Sequence, residues 1–356
     1  MQRDFLLHNS VMEKIRVGVL GLGRSGYGIH CKAFEKLSES YELVAVADMN
    51  GVRAAETGAE RGVTTVNSVE ELVAIPEIEL VVVSSYNRDH AKNAVTALEA
   101  GKHVVCEKPF GLSVAEVDAM LAAAKAAGKF VVPFQNRRYE DSYVKVKEIL
   151  ASGVLGKVVH IRIAQHGFGR RWDWQTLSEF GGGQLHNNGP HILDQALGLY
   201  EAMGVDDVES LEVWSDLRAT LSSGDTADHA RATLRHPDAF TLDIEFAATC
   251  PYPQDKWLVM ATSGGLRGTS NKLEWKWVDW SAHPERPVQC ASTPDRSYNR
   301  EDLSWQSASY DCNESFERLQ GSFYNDLWHS IREGAPLSVT PESVRKRIRL
   351  LERIRG

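Results

Sequence analysis

Residues 15–26 read Ile15-Arg-Val-Gly-Val-Leu-Gly-Leu-Gly-Arg-Ser-Gly26, a helical stretch follows, and then comes Tyr41-Glu-Leu-Val-Ala-Val-Ala-Asp48. The order is apolar strand, glycine loop, helix, and a second strand ending in a carboxylate. Each part has a separate job in holding a dinucleotide. Gly21 permits the tight turn off the strand, Gly23 lets the main chain approach a pyrophosphate, and Gly26 lets the helix pack closely on the sheet. Amides at the helix start, aided by its dipole, face phosphate charge. Asp48 stands where a carboxylate accepts hydrogen bonds from a ribose diol. The alternative is a glycine turn in an unrelated α/β protein. A strand on both sides and the acid at the second strand's end favour nucleotide binding.

Strand and helix signals keep alternating outward to residue 134. The sequence predicts helices at Gly51–Arg61, Val69–Ala74, His90–Ala100 and Val114–Ala127, with Ser68, Asp89 and Ser113 as caps. Strands are predicted at Val63–Val66, Leu80–Ser84, His103–Cys106 and Phe130–Val132; the run Leu80-Val-Val-Val is apolar throughout, as for a strand covered on both faces. The fold class is therefore α/β, with a doubly wound parallel sheet whose ligand lies at the carboxyl ends of the strands. Asp48, Ser84-Ser85-Tyr86-Asn87 and Glu107-Lys108-Pro109 all fall there. Pro109 restricts Lys108 to an extended conformation, and a cis peptide is open to this bond. A lysine beside proline is usually solvated; its place at a strand end favours a functional amine.

From residue 135 the rhythm changes. An amphipathic helix at Tyr143–Leu150 precedes strand-like runs at Lys157–Gln165, Val208–Asp216, His229–Leu234, Ala239–Phe246, Trp257–Thr262 and Leu273–Trp280. They predict a C-terminal α+β domain, its sheet open-faced and mostly antiparallel. Helices are expected at Glu314–Glu333 and Pro341–Arg355, and a loose stretch at Ser281–Ser304. The informative segment is Gly181-Gly-Gly-Gln-Leu-His-Asn-Asn-Gly-Pro-His191, a glycine turn leading into a helix. Asn187 and His191, four apart, share a face if the segment is helical. His186 and His191 are five apart and lack a third ligand cluster, so no metal site is expected. A histidine bonded in the interior is the competing reading. Upstream, Gln165-His-Gly-Phe-Gly-Arg-Arg-Trp-Asp-Trp174 mixes aromatic faces with polar groups, as suits a polyol. Simple packing of its tryptophans is the alternative. Trp275, Trp277 and Trp280 read as sheet packing. In Arg345-Lys-Arg-Ile-Arg349 the stripe Val344, Ile348 and Leu351 marks a solvated basic face rather than a nucleic-acid site.

A length of 356 residues suits two domains, 15–134 and 135–356, after a short leader, 1–14, in which Met12 offers an alternative start. A net charge of −8 argues against a nucleic-acid partner, and the lack of a run of about 18 apolar residues argues against a membrane span. The leader has no signal-peptide pattern. Five cysteines without a CxxC pair suggest reduced thiols in a cytoplasmic protein.

The chain resembles the glucose–fructose oxidoreductase / inositol 2-dehydrogenase (Gfo/Idh/MocA) family of NAD(P)-dependent oxidoreductases. The resemblance rests on Gly21–Gly26, Asn87 and His90, Glu107-Lys108-Pro109, and Gly181–His191, and covers nearly everything from Ile15 onward. It implies a Rossmann domain followed by an open-faced α/β domain that often oligomerises, giving a homodimer or homotetramer. It further implies Lys108 as catalytic lysine and His191 as proton-transferring histidine. Asn187 stands where inositol-dehydrogenase-like members carry Asp. Asn orients an imidazole or a hydroxyl but cannot stabilise an imidazolium by charge.

The cofactor-binding set is then Gly21, Gly23, Arg24, Ser25, Gly26, Asp48, Ser85, Tyr86, Asn87, His90, Glu107 and Lys108. The substrate-binding set is Lys108, His166, Arg171, Trp172, Asn187 and His191. Asp48 favours NAD, because a carboxylate repels a 2′-phosphate, although Arg24 leaves NADP open. The expected reaction moves hydride between the nicotinamide and a secondary alcohol or ketone of a sugar or cyclic polyol. Two rivals stand beside it: a cofactor-retaining glycosidase of the same fold, and a non-catalytic dinucleotide or sugar sensor.

Overall fold

The computed structural model describes residues 13–356. The expected leader, Met12 included, lies outside the described residues except for Glu13 and Lys14. The chain divides into two compact units.

The first unit comprises the chain up to Asn136 together with Glu179–Gly182 and Leu319–Arg349. Its strands are β1 (Ile15–Leu20), β2 (Tyr41–Ala47), β3 (Thr64–Val66), β4 (Leu80–Val83), β5 (His103–Cys106) and β6 (Val131–Pro133). They form one sheet in the order β3-β2-β1-β4-β5-β6, every pairing parallel. That is the doubly wound arrangement expected from the alternation of signals. All four residues of β4 are buried, in keeping with its unbroken apolar run. Ser68 and Ser113 cap their helices, each side chain accepting an amide from the first turn. Asp89 does not cap. A single turn at Asn87–Asp89 precedes the helix, leaving Asp89 with helical rather than extended dihedrals, and its carboxylate cannot reach the first amides.

The segment Leu319–Arg349 departs from a simple boundary near residue 134, because it packs with the first unit. Its helix Ser322–Glu333 buries Phe323, Tyr324, Leu327 and Trp328. Tyr324 meets Phe34 and Tyr41 edge-on at ring distances of 4.8 and 5.4 Å. Arg332 bridges to Glu79 at 2.9 Å, and Arg345 to Asp118 at 2.6 Å. The basic run of the last helix is therefore partly paired, and Arg347 is buried.

The second unit comprises Arg137–Ser178, Gly183–Arg318 and Leu350–Gly356. Its strands are β7 (Val158–His166), β8 (Glu212–Arg218), β9 (His229–Arg235), β10 (Thr241–Ala247), β11 (Trp257–Ala261), β12 (Gly264–Gly268), β13 (Lys272–Val278) and β14 (Trp305–Asp311). The order is β14-β13-β12-β11-β7-β10-β9-β8, antiparallel except for the central β7–β10 pair. Leu242, Ile244 and Phe246 of β10 point into a core built with helices Asp141–Ala151 and Gly189–Glu201 and with Leu350, Leu351 and Ile354. Thr241, Asp243 and Glu245 alternate outward, the period of a sheet with one covered face. Trp275 and Trp277 pack against this core, as expected; Trp280 lies half-exposed with its indole N–H on the Thr262 carbonyl.

Candidate active site

At the nucleotide end of the first unit the glycine loop has the shape its sequence predicts. Gly21 has φ +87°, and a Cβ there would lie 2.4 Å from the Ser84 carbonyl oxygen. At Gly26 a Cβ would lie 1.7 Å from the Gly21 carbonyl oxygen, so this glycine closes the turn upon itself. A Cβ at Gly23 would meet nothing within 4 Å. That side of the loop is open, which fits the close approach of a pyrophosphate. Arg24 is exposed and Ser25 half-buried beside it. The helix begins with a wide turn, Gly26–Cys31, before the α-helical Lys32–Lys36.

Asp48 is buried at the end of β2 and already well supplied with donors. Its carboxylate accepts the Leu22 amide at 2.7 Å and the Asn50 amide at 2.8 Å. Arg53, half-exposed, donates to it at 3.2 Å. This guanidinium, one helical turn beyond Asp48, was not among the expected site residues. The carboxylate thus shapes the loop.

The neighbouring strand ends bring the remaining candidates to the same edge of the sheet. Ser85 accepts the Asn93 amide group at 3.0 Å. Tyr86 packs edge-on against Phe180. Asn87, buried, donates to the Gly181 carbonyl at 2.9 Å, tying the glycine turn to this unit. His90 is wholly interior; its Nδ1 lies 2.8 Å from the Pro109 carbonyl and its Nε2 3.2 Å from that of Ser85. Burial lowers its pKa, which keeps the ring neutral. Through the Nδ1 contact His90 braces the Lys108–Pro109 turn, whose peptide is cis.

Glu107 lies beneath that turn. Its Oε2 accepts the Lys108 amide at 2.9 Å and its Oε1 stands 3.2 Å from His30 Nε2. Burial by itself raises this carboxyl, but its hydrogen bond and electrostatic interaction with His30, and after them the Lys108 charge, outweigh it and hold the group at about 2. His30 continues to Tyr324 through Nδ1, at 2.6 Å from the phenol oxygen. Neither residue belonged to the expected site. His30 reads as one polar residue of the first helix, and Tyr324 arrives from nearly three hundred residues downstream.

In the second unit the expected single helix after the glycine turn is two pieces, Gln184–Asn187 and Gly189–Glu201, jointed at Asn188. The glycine and proline at 189 and 190 open the second piece, where proline's missing N–H costs nothing. Asn187 and His191 flank the joint and both are half-buried. The helix carrying His191 is anchored one turn on. Asp194 takes a bidentate salt bridge from Arg138 at 2.7 and 2.9 Å, and Gln195 donates to Glu140 at 3.2 Å. Glu140 is also paired with Lys256.

The loop residues fare differently. The Gln175 carbonyl accepts the Gly183 amide at 2.7 Å, which joins the 166–176 loop to the start of the His191 segment. His166 is committed to its own strand region, with Nε2 3.5 Å from Glu245 and Nδ1 accepting the Gln254 amide. Arg171 is paired with Asp173 at 2.8 Å, and Trp172 is exposed. Asp228 fastens the adjoining loop by accepting the Thr220 hydroxyl and the Thr220, Leu221 and Ser222 amides. Among the described residues no cluster of three or more His, Cys, Asp or Glu forms a metal site.

A parallel sheet with this loop, followed by an open-faced antiparallel sheet, defines a dinucleotide-binding protein of two α/β units. The chain belongs to the GFO/IDH/MocA family: residues 15–134 match its "Oxidoreductase family, NAD-binding Rossmann fold" and residues 143–267 its C-terminal domain. It is similar to an uncharacterized oxidoreductase of Schizosaccharomyces pombe, 32% identical over 53% of each chain. It is also similar to a scyllo-inositol 2-dehydrogenase (NADP(+)) of Bacillus subtilis, 25% identical over 96% of this chain and 93% of that one. Among solved structures, an NAD-binding protein from Listeria innocua superposes with TM-score 0.79 at 25% identity, covering 96% and 97% of the two chains. The matches to the first fission-yeast relatives span about half of those proteins' length. No helix among the described residues is long and apolar enough to cross a membrane.

Proposed function

We propose that this protein is an NAD(P)-dependent oxidoreductase acting on a secondary alcohol, or the matching ketone, of a sugar or cyclic polyol. The observation that carries the reading is Lys108. It stands at the carboxyl end of β5, with its amide on the buried Glu107 carboxylate and the following turn braced by His90. A solvated surface lysine needs no such support. The likeness to an inositol dehydrogenase over nearly the full chain supports the polyol class.

The loop Gly21–Gly26, Asp48 and the strand ends at Ser85 and Glu107 would hold the dinucleotide, which supplies a hydride acceptor or donor when bound. The chain's own residues do the rest. His191 takes the hydroxyl proton on an imidazole nitrogen, as a neutral histidine can near neutral pH. The Lys108 ammonium donates to the same oxygen as negative charge builds there. The Asn187 amide orients the ring or a substrate hydroxyl without changing charge. Asp48 favours NAD over NADP.

A panel of sugars and polyols, followed by the near-ultraviolet absorbance of reduced nicotinamide, tests this. Turnover is expected with at least one polyol, and Lys108→Met should lower kcat on the order of 10²–10⁴-fold. Near-normal turnover in that variant would remove the amine from the chemistry. Release of free sugar from a glycoside without net reduced cofactor would favour the cofactor-retaining glycosidase. Binding without any turnover would favour a sensor.

A further inference from the structure

Three polar side chains run one to the next through the interior of the first unit. Glu107, His30 and Tyr324 are all buried, His30 and Tyr324 completely. Phe134 stands 4.5 Å from the His30 ring edge-on, and Phe34 and Tyr41 close around Tyr324. Tyr41 adds its own hydroxyl to the Tyr324 carbonyl at 2.6 Å, which fixes the helix turn that carries the phenol. In such an apolar cage each polar atom depends on the next for its partner.

Burial holds the Tyr324 phenol protonated, so it has a hydrogen to give, and its partner at 2.6 Å is His30 Nδ1. When Nδ1 accepts that hydrogen, the ring's N–H is on Nε2 and faces Glu107 Oε1 at 3.2 Å. The second carboxylate oxygen is then left for the Lys108 amide. Both oxygens of Glu107 are occupied and its torsion is fixed, so its charge stays at one place beside Lys108.

We propose that His30 and Tyr324 are positioning residues for Lys108: they orient the Glu107 carboxylate, which pins the Lys108 main chain and sets the field at its amine. This rests on reading Lys108 as the reacting amine. Without the phenol, the imidazole loses the group that selects its tautomer. A lone pair can then face Glu107, and the carboxylate is free to leave the Lys108 amide. A merely structural role for the network would lower stability and leave Lys108 as it was.

The test uses Tyr324→Phe, which keeps the ring and removes one hydroxyl, and His30→Gln as a second variant. Lysine amines are methylated with ¹³C-formaldehyde and the Lys108 resonance is titrated by NMR. The Lys108 midpoint is expected to move by at least about half a pH unit in both variants. Turnover should fall roughly 10–100-fold in kcat, with KM for the cofactor little changed, as expected when a reacting group is displaced rather than removed. A Lys108 midpoint unchanged in both variants overturns the proposal, whatever happens to Tm or KM. Should the unaltered protein turn over no polyol, the oxidoreductase reading fails. The midpoint still decides the role of His30 and Tyr324.

Discussion

Asp48 shows how much one residue can carry. Its carboxylate accepts two loop amides and a guanidinium, and it stands where the second strand meets the glycine loop. On the proposed reading, removing it strips a hydrogen-bond acceptor from the cofactor ribose and loosens the glycine loop. Hydrogen bonds to a charged group contribute about 1.5–3 kcal/mol, so Asp48→Ala should weaken NADH binding roughly 10–100-fold. NADPH should lose less, because Arg53 is released from its ion pair. Fluorescence titration with both cofactors checks this; an equal loss for the two would sink the idea that Asp48 selects NAD. The glycines of this loop were legible in the sequence because each answers a steric demand a few residues away. Arg53 was not, since its contact depends on how the second helix leaves its strand.

At the scale of elements, the helix Gly189–Glu201 decides where His191 stands. Its polar anchors are Asp194 and Gln195, and it packs closely at Gly198, where a Cβ would lie 2.0 Å from the Tyr143 hydroxyl oxygen. Gly198→Ala should therefore cost about 1–3 kcal/mol of stability through overpacking. Tyr143→Phe in the same chain should recover part of that loss, because it deletes the clashing atom. Urea unfolding of the two single variants and the double variant measures the coupling; strictly additive losses would refute the contact. Element positions in the parallel sheet were read closely from apolar runs and serine caps. β12 was not, because Gly264-Gly-Leu-Arg-Gly268 carries no strand propensity. It is a strand because β11 and β13 pair with it on either side, and glycine is needed at 264 because a Cβ there would fall 2.1 Å from the Lys276 carbonyl oxygen. β14, largely exposed, lacks the buried alternation that reveals a strand.

Over the whole molecule, acid sensitivity should follow three carboxylates. Glu107 in one unit and Glu140 and Asp228 in the other are each held at about 2. Burial opposes this in every case; His30 for Glu107, the Lys256 charge for Glu140, and the Thr220 hydroxyl with loop amides for Asp228 outweigh it. In the unfolded chain such groups titrate near about 3.9 for Asp and 4.3 for Glu. The folded state binds fewer protons between the two values, so stability rises with pH there. Their contribution is complete above roughly pH 5 and disappears as pH falls toward about 2. Urea midpoints should be level from neutrality to mild acid and then drop steeply; a midpoint unaffected by acid would contradict the pairing of these groups.

The sequence alone determined what short-range physics controls: the alternation that makes the parallel sheet, the glycine loop, the acid at the end of β2, and the strand-end lysine. Each is encoded within a few residues by sterics, hydrogen-bond geometry or period. Only the tertiary structure decided that residues 319–349 pack with the first unit and deliver Tyr324 to His30. It also decided that Arg53 meets Asp48 and that the His191 helix is held by Arg138 and Glu140. Those contacts join side chains through the folding of the intervening chain, and no local propensity specifies which distant polar group a buried one will find.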